Sequence, residues 1–163
     1  MDYRKAFDPI HHSLLITKLK GLGINPCIIN CICDFLMDRQ QRVKMTNDIY
    51  SEWKDVMAGV PQGTKLAPWL FLVMINDLQI SSADGNVIFV DDATSFEIVE
   101  KEKSSSTQLV AAEVARWSNE NMFQIQPKKC KELRISFKKD PGIYENITID
   151  GNTVDVVKSI KIL

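Results

Sequence analysis

The chain has 163 residues, 45% of them hydrophobic, enough for one domain with a sizeable core. Its 20 Lys and Arg against 21 Asp and Glu leave a net charge of −1, less basic than a free-standing nucleic-acid binder usually is. Either nucleic acid is not the partner, or the basic surfaces lie on segments outside this chain. Asp2, Arg4 and Lys5 occupy the start and no apolar run follows, so no secretory signal is read and an intracellular chain, nuclear or cytoplasmic, is expected.

In chain order, Asp8-Pro9 reads as a helix start, with Asp as N-cap and Pro at the first helical position. Leu15, Leu19 and Leu22 mark one face of that helix, which ends at Gly21-Leu22-Gly23. Asn25-Pro26 repeats the start signal, and Ile28, Ile32, Phe35 and Leu36 carry the next face up to Asp38-Arg39. Cys27, Cys31 and Cys33 fall in this second stretch. With Cys130 they form no CxxC pair and find no His at zinc-ligand spacing, so reduced, buried thiols are expected. Residues 41–58 read as a polar hairpin turning at Thr46-Asn47-Asp48 and returning around Trp53.

Gly59-Val60-Pro61-Gln62-Gly63-Thr64 is a loop, and Leu66 to Leu78 is almost wholly apolar. That run is too short to span a bilayer and predicts a helix buried on most sides. Asp84-Gly85-Asn86 leads into Val87-Ile88-Phe89-Val90-Asp91-Asp92-Ala93-Thr94-Ser95-Phe96, two β-prone runs around adjacent acids. This predicts a tight hairpin with carboxylates at its tip. Ser104–Ser106 opens a helix with Val110, Val114 and Trp117 on one face. After Pro127 the alternation of Leu133, Ile135 and Phe137 with polar residues predicts a half-buried strand. Asp150-Gly151 predicts a last hairpin between Ile147–Ile149 and Val154–Ile162. No repeat or linker interrupts this irregular mixture, so α+β is the expected class.

Taken together these segments resemble the palm of a reverse transcriptase from non-LTR (LINE-type) retrotransposons, over nearly the whole chain and with the motifs in the family's order. Asp2-Tyr3-Arg4-Lys5-Ala6-Phe7-Asp8 is similar to the first palm motif, whose leading acid binds catalytic metal, here Asp2. His12 and Leu15 fit its continuation. Phe7 falls where the family keeps an aromatic against the sugar 2′ position. Gly59-Val60-Pro61-Gln62-Gly63 with Leu66-Ala67-Pro68 resembles the motif whose Gln and loop position the nucleotide, which implies Gln62 and Gly63. Phe89-Val90-Asp91-Asp92 matches the aromatic-x-Asp-Asp motif and implies Asp91 and Asp92 as the other two metal ligands. Asn119 to Phe137 resembles the next motif and implies Lys129 near the nucleotide phosphates, although Gln126 stands where Asn is usual. Val157 to Leu163 looks like the start of a primer-contacting hairpin.

The resemblance implies an antiparallel sheet with helices on one face, and RNA-directed DNA polymerase chemistry. It also implies Mg²⁺, with Mn²⁺ as substitute, and an RNA template, DNA primer and deoxynucleotides as partners, with no membrane. Residues 1–163 are expected to be a palm fragment of something longer, with fingers and thumb largely absent and no activity on its own. Each singled-out residue also has a plainer role. Asp91 and Asp92 suit an ordinary turn, Phe7 suits a core, and Gln62 suits a solvated loop. Lys128, Lys129, Lys131, Lys138 and Lys139 suit a solvated basic face, and His11 and His12 have no acids at ligand spacing. Two rival functions follow: a non-catalytic palm-fold remnant serving as a binding or structural module, and a small RNA-binding domain of the stacking-platform type. The latter would need exposed aromatics interleaved with basic residues on its strands.

Overall fold

The computed structural model describes residues 1–100, 103–137 and 144–160. The chain divides into two compact units, Phe7–Asp77 on one side and Met1–Ala6 with Leu78–Leu163 on the other. The class is mixed: four helices and ten short strands among the described residues, the strands in two-stranded ladders. Among the described residues no helix is long and apolar enough to cross a membrane. Lys138 and Lys139 of the basic run, and 161–163 at the end of the expected last strand, lie outside the described residues.

The unit Phe7–Asp77 is built on three helices. Helix α1 (His12–Gly21) starts three residues later than Asp8-Pro9 predicts. The reason is that the backbone of 7–10 is already committed: Val60 donates to the Phe7 carbonyl and Gly59 to the Ile10 carbonyl. Asp8 therefore caps nothing and instead accepts from the Gln62 side chain. Leu15 and Leu19 are buried as expected, whereas Leu22 sits past the helix end and is exposed. Helix α2 (Pro26–Leu36) begins as its sequence dictates, with the Asn25 side chain accepting from the Cys27 N–H and Pro26 in the first turn. Its buried face is Ile29, Ile32 and Leu36, one step round from Ile28, which is exposed. That rotation turns Cys27 and Cys31 outward, so the expectation of buried thiols holds only for Cys130.

A ribbon follows. Strand β1 (Gln40–Gln41) pairs with β4 (Lys54–Asp55), and between them β2 (Lys44–Thr46) pairs with β3 (Ile49–Tyr50), all antiparallel. Asp48 takes the positive φ of the turn. Helix α3 (Leu66–Ile75) buries Ala67, Leu70, Phe71, Met74 and Ile75. It is not buried on most sides, because Trp69 keeps 69% of its surface and Leu72 is also exposed. Apolar content alone does not say how many faces find a partner. Lys18 of α1 reaches the Met74 carbonyl, an electron-rich group near the end of α3.

In the other unit, β5 (Gly85–Phe89) and β6 (Asp92–Phe96) form the expected hairpin in unbroken register, Gly85 opposite Phe96 and Phe89 opposite Asp92. Helix α4 (Thr107–Glu120) buries Val110, Ala111, Val114, Trp117 and Ser118, the face read from the sequence. Ser106 stands at its N-cap without a side-chain capping bond, and Glu97 gathers the donors that lead into the helix. Its carboxylate takes the Ser106 N–H, the Ser106 and Thr107 hydroxyls and, in a short contact, the Ser105 hydroxyl. Burial raises the Glu97 carboxyl, and these four donors outweigh it, bringing the pKa down to about 2.

Strand β7 covers only Lys131–Leu133. Among the described residues the expected half-buried strand does not continue past Leu133, and Ile135 and Phe137 are exposed, Phe137 at 98%. Strands β8 (Thr148–Ile149) and β9 (Asn152–Thr153) form the last hairpin, with Asp150 and Gly151 both at positive φ. Strand β10 (Asp155–Val157) then runs parallel to β7, a pairing that the local pattern does not reveal.

Candidate active site

The hairpin tip is the first element of the site. Phe89 and Asp92 are partners, so the loop has two residues, Val90 and Asp91. Val90 holds φ at +54°, a value that β-branched side chains resist. Such backbone strain persists where surrounding structure enforces it, and it clusters at functional sites. It sets Asp91 at the turn and Asp92 as the first residue of β6.

Asp2 arrives by backbone pairing on both edges. Ala93 donates to the Met1 carbonyl at 3.0 Å, and the Met1 amine donates back to the Ala93 carbonyl. An exchange of both bonds between two residues marks an antiparallel pair, and one step along that register puts Asp2 opposite Asp92. On the other edge Gln126 donates to the Asp2 carbonyl and Arg4 to the Gln124 carbonyl, flanking the bridge between Tyr3 and Ile125. Residues 1–4 thus lie between the hairpin and segment 124–126. Beneath them, Tyr3 packs 5.3 Å from Phe123 and 6.4 Å from Trp117, ring centre to ring centre. Burial pushes the Tyr3 phenol up despite the neighbouring Ser118 hydroxyl, and among the described residues the Tyr3 oxygen meets no hydrogen-bond partner at ordinary geometry. Ser118 itself donates to the Val114 carbonyl.

Two like charges directly opposite one another destabilise a ladder, and a cation answers them here. Lys129 Nζ stands 3.3 Å from both carboxylate oxygens of Asp2. With Lys129 mostly exposed, this pair contributes little to stability. It does orient the Asp2 carboxylate. Among the described residues, no three His, Cys, Asp or Glu side chains stand together as a metal-holding group. The backbone therefore brings Asp2 beside Asp92, and the turn holds Asp91 next in sequence, but the three carboxylates do not converge into a cage. The donor chemistry nonetheless suits Mg²⁺, which takes hard carboxylate oxygens and few of them. A polar cleft of about 310 Å³ opens nearby, lined by Arg4, Asn119, Gln124, Gln126 and Asp150 among others, and includes none of the three acids.

The remaining predicted residues belong to the unit Phe7–Asp77. The Phe7 ring packs 4.8 Å from Phe71, which is fully buried, and is itself half-buried. Gln62 is exposed and donates to Asp8, and Gly63 takes φ +82° at the bend before α3. The loop is tied down through Gly59, whose carbonyl accepts from the His12 ring and from the Arg39 guanidinium, both at 2.8 Å. Sequence reasoning missed Arg39 and assigned His12 no contact, because both bonds span loops that no periodicity links. The Tyr3, Trp117 and Phe123 cluster was missed as well, Tyr3 lying more than a hundred residues from the other two.

The sequence matches the family described as Reverse transcriptase (RNA-dependent DNA polymerase) over residues 1–163, and the chain belongs to it. Among curated relatives, it is 25% identical over 94% of its length to an RNA-directed DNA polymerase from mobile element jockey of Drosophila melanogaster. It is also 25% identical, over its full length, to a probable RNA-directed DNA polymerase from transposon BS of the same fly. A Pol polyprotein from type-1 retrotransposable element R2 of Popillia japonica is 24% identical over 94% of the chain. The chain spans 18%, 19% and 27% of the length of these three relatives. All three are mobile-element proteins, in agreement with the retrotransposon resemblance.

Proposed function

We propose that the chain is the palm of a retroelement RNA-directed DNA polymerase, with Asp2, Asp91 and Asp92 as its divalent-metal ligands. The observation that carries the reading is the backbone exchange between Met1 and Ala93, which sets Asp2 in register with Asp92. Family membership supplies the reaction, attack of a primer 3′-oxygen on the α-phosphate of a deoxynucleotide. Bound divalent ions would stabilise the attacking and leaving oxygens together.

The chain's own residues have separable tasks in this scheme. Asp2, Asp91 and Asp92 present hard oxygens at the rim of one sheet, Mg²⁺ being the intended ion and Mn²⁺ a substitute. Lys129 neutralises Asp2 until a competing cation arrives, and its ammonium is then free for nucleotide phosphates. Gln62 and Gly63 offer side-chain and backbone donors to the incoming nucleotide, and the Phe7 ring obstructs a ribose 2′-hydroxyl. Template RNA and DNA primer are the partners of the complete polymerase.

Titration of the chain with Mn²⁺ under nuclear magnetic resonance tests the ligand set. Broadening should centre on residues 89–94 and weaken in Asp91→Asn, with low affinity because substrate phosphates normally complete such sites. Broadening spread evenly over surface acids would overturn the assignment.

A further inference from the structure

The ribbon β1–β4 carries an arrangement that no polymerase residue above accounts for. The Arg42 guanidinium lies 3.9 Å from the centre of the Tyr50 ring and 4.6 Å from that of Trp53. Lys44 Nζ stands over the same Tyr50 ring at 5.8 Å. Ring faces hold a guanidinium by its flat side. Its five N–H donors all lie in the plane, at the edge. Among the described residues none of those donors meets an acceptor, and neither Arg42 nor Lys44 forms an ion pair, although Asp48 and Glu52 are on the same ribbon. The rings remain open to solvent as well, Tyr50 at 41% and Trp53 at 55% exposure. Val43, Met45 and Ile49 beside them are also exposed. A stacked cation on a solvent-exposed ribbon fixes a long side chain without contributing to a core.

We propose that this Arg42–Tyr50–Trp53 cluster, with Lys44, is a contact site for the backbone and bases of a single-stranded nucleic acid. An anion approaching in the guanidinium plane receives two parallel hydrogen bonds, the geometry suited to a phosphate. The solvent-open part of Tyr50 and Trp53 that the cations leave uncovered takes a base, a contact that tolerates any sequence because every base has a π-face. A carboxylate of an acidic peptide would use the arginine but leave the rings idle, which is why a nucleotide strand fits better. The inference rests on the polymerase reading, which makes such strands available, but it involves none of the metal-site residues.

The test is fluorescence anisotropy of a labelled single-stranded oligonucleotide of about a dozen residues, as RNA and as DNA, with the whole chain and no divalent metal. Arg42→Ala should weaken binding about tenfold and lower the salt slope by about one. Arg42→Lys should recover the salt slope but only part of the affinity, because charge is kept and the flat stack is lost. Trp53→Ala should weaken binding and leave the salt slope unchanged. Thermal melting of each variant should match the parent, since the cluster is outside the core. The Mn²⁺ broadening of residues 89–94 should persist in Arg42→Ala, so that each reading can fail without the other. Unchanged affinity in both Arg42→Ala and Trp53→Ala would overturn the proposal. So would competition by poly-glutamate as effective as that by RNA, or a ribbon that proves to mediate self-association by sedimentation.

Discussion

At the scale of single residues, Glu97 is the most sharply tuned group. Its carboxylate ties the entry to α4 by taking donors from Ser105, Ser106 and Thr107. With a folded pKa near 2 against 4.5 in the open chain, its stabilisation is fully present above about pH 4.5 and fades as pH falls toward 2. Glu97→Gln should therefore flatten the acid limb of the stability curve and cost on the order of 1 kcal/mol at neutral pH, after allowance for solvent screening. Urea melts across that pH window measure it; parallel curves for the two proteins would deny Glu97 this role. Gly59 makes a second case. It holds φ +83°, and an added Cβ would stand 2.7 Å from the Asp8 carbonyl oxygen, a backbone atom that cannot swing aside. Gly59→Ala should destabilise the unit Phe7–Asp77 by roughly 2 kcal/mol or more and release Gln62 from Asp8. A melting temperature equal to that of the parent would contradict this.

At the scale of elements, α3 and the ribbon form a natural pair for comparison. Leu70, Phe71, Met74 and Ile75 are buried, while every residue of β1 to β4 is exposed. Amides of residues 70–75 should exchange far more slowly than those of 40–55, because local opening follows buried contact. Hydrogen exchange that finds the two alike would move the core elsewhere. The hairpin β5–β6 belongs to the same discussion. Its register is pinned by five consecutive pairs, and its two-residue turn leaves the strain on Val90 nowhere to dissipate. Only an element that is over-determined on both flanks can hold Asp91 and Asp92 at a fixed offset.

At the scale of the whole molecule, the decisive quantities are charge and convergence. A net charge of −1 offers few clustered cations to release counterions from a duplex. The three acids also stand apart as a ligand set, with Asp2 held by Lys129. In phosphoryl-type transfers much of the acceleration comes from holding reactants in line. The 163-residue chain by itself is therefore expected not to extend a primer with either Mg²⁺ or Mn²⁺. A template–primer assay decides it. Extension that vanishes in Asp91→Asn would show that this chain suffices and that bound substrate draws the carboxylates together.

Local chemistry in the sequence determined much of this protein. The Asn25-Pro26 start of α2, the buried stripe of α4, the hairpin at Asp91-Asp92 and the Asp150-Gly151 turn all depend on neighbours within a few residues, so their patterns were readable. The order of motifs carried the family for the same reason. Tertiary structure alone decided whatever depends on a distant partner. The loop at Gly59 and Val60 took the carbonyls of Phe7 and Ile10 and so delayed α1 to His12. The packing of α2 turned Cys27 and Cys31 outward. Strand β10 chose β7 in parallel, and Ile135 and Phe137, past the end of β7, stayed exposed. Above all, Asp2 reached Asp92 only because Met1 exchanges backbone bonds with Ala93, 92 positions away, and it met Lys129 only because segment 124–126 pairs on the other edge. Backbone hydrogen-bond donors and acceptors are identical at every residue but proline, so periodicity cannot name the partner; burial of Tyr3 against Trp117 and Phe123 selects it.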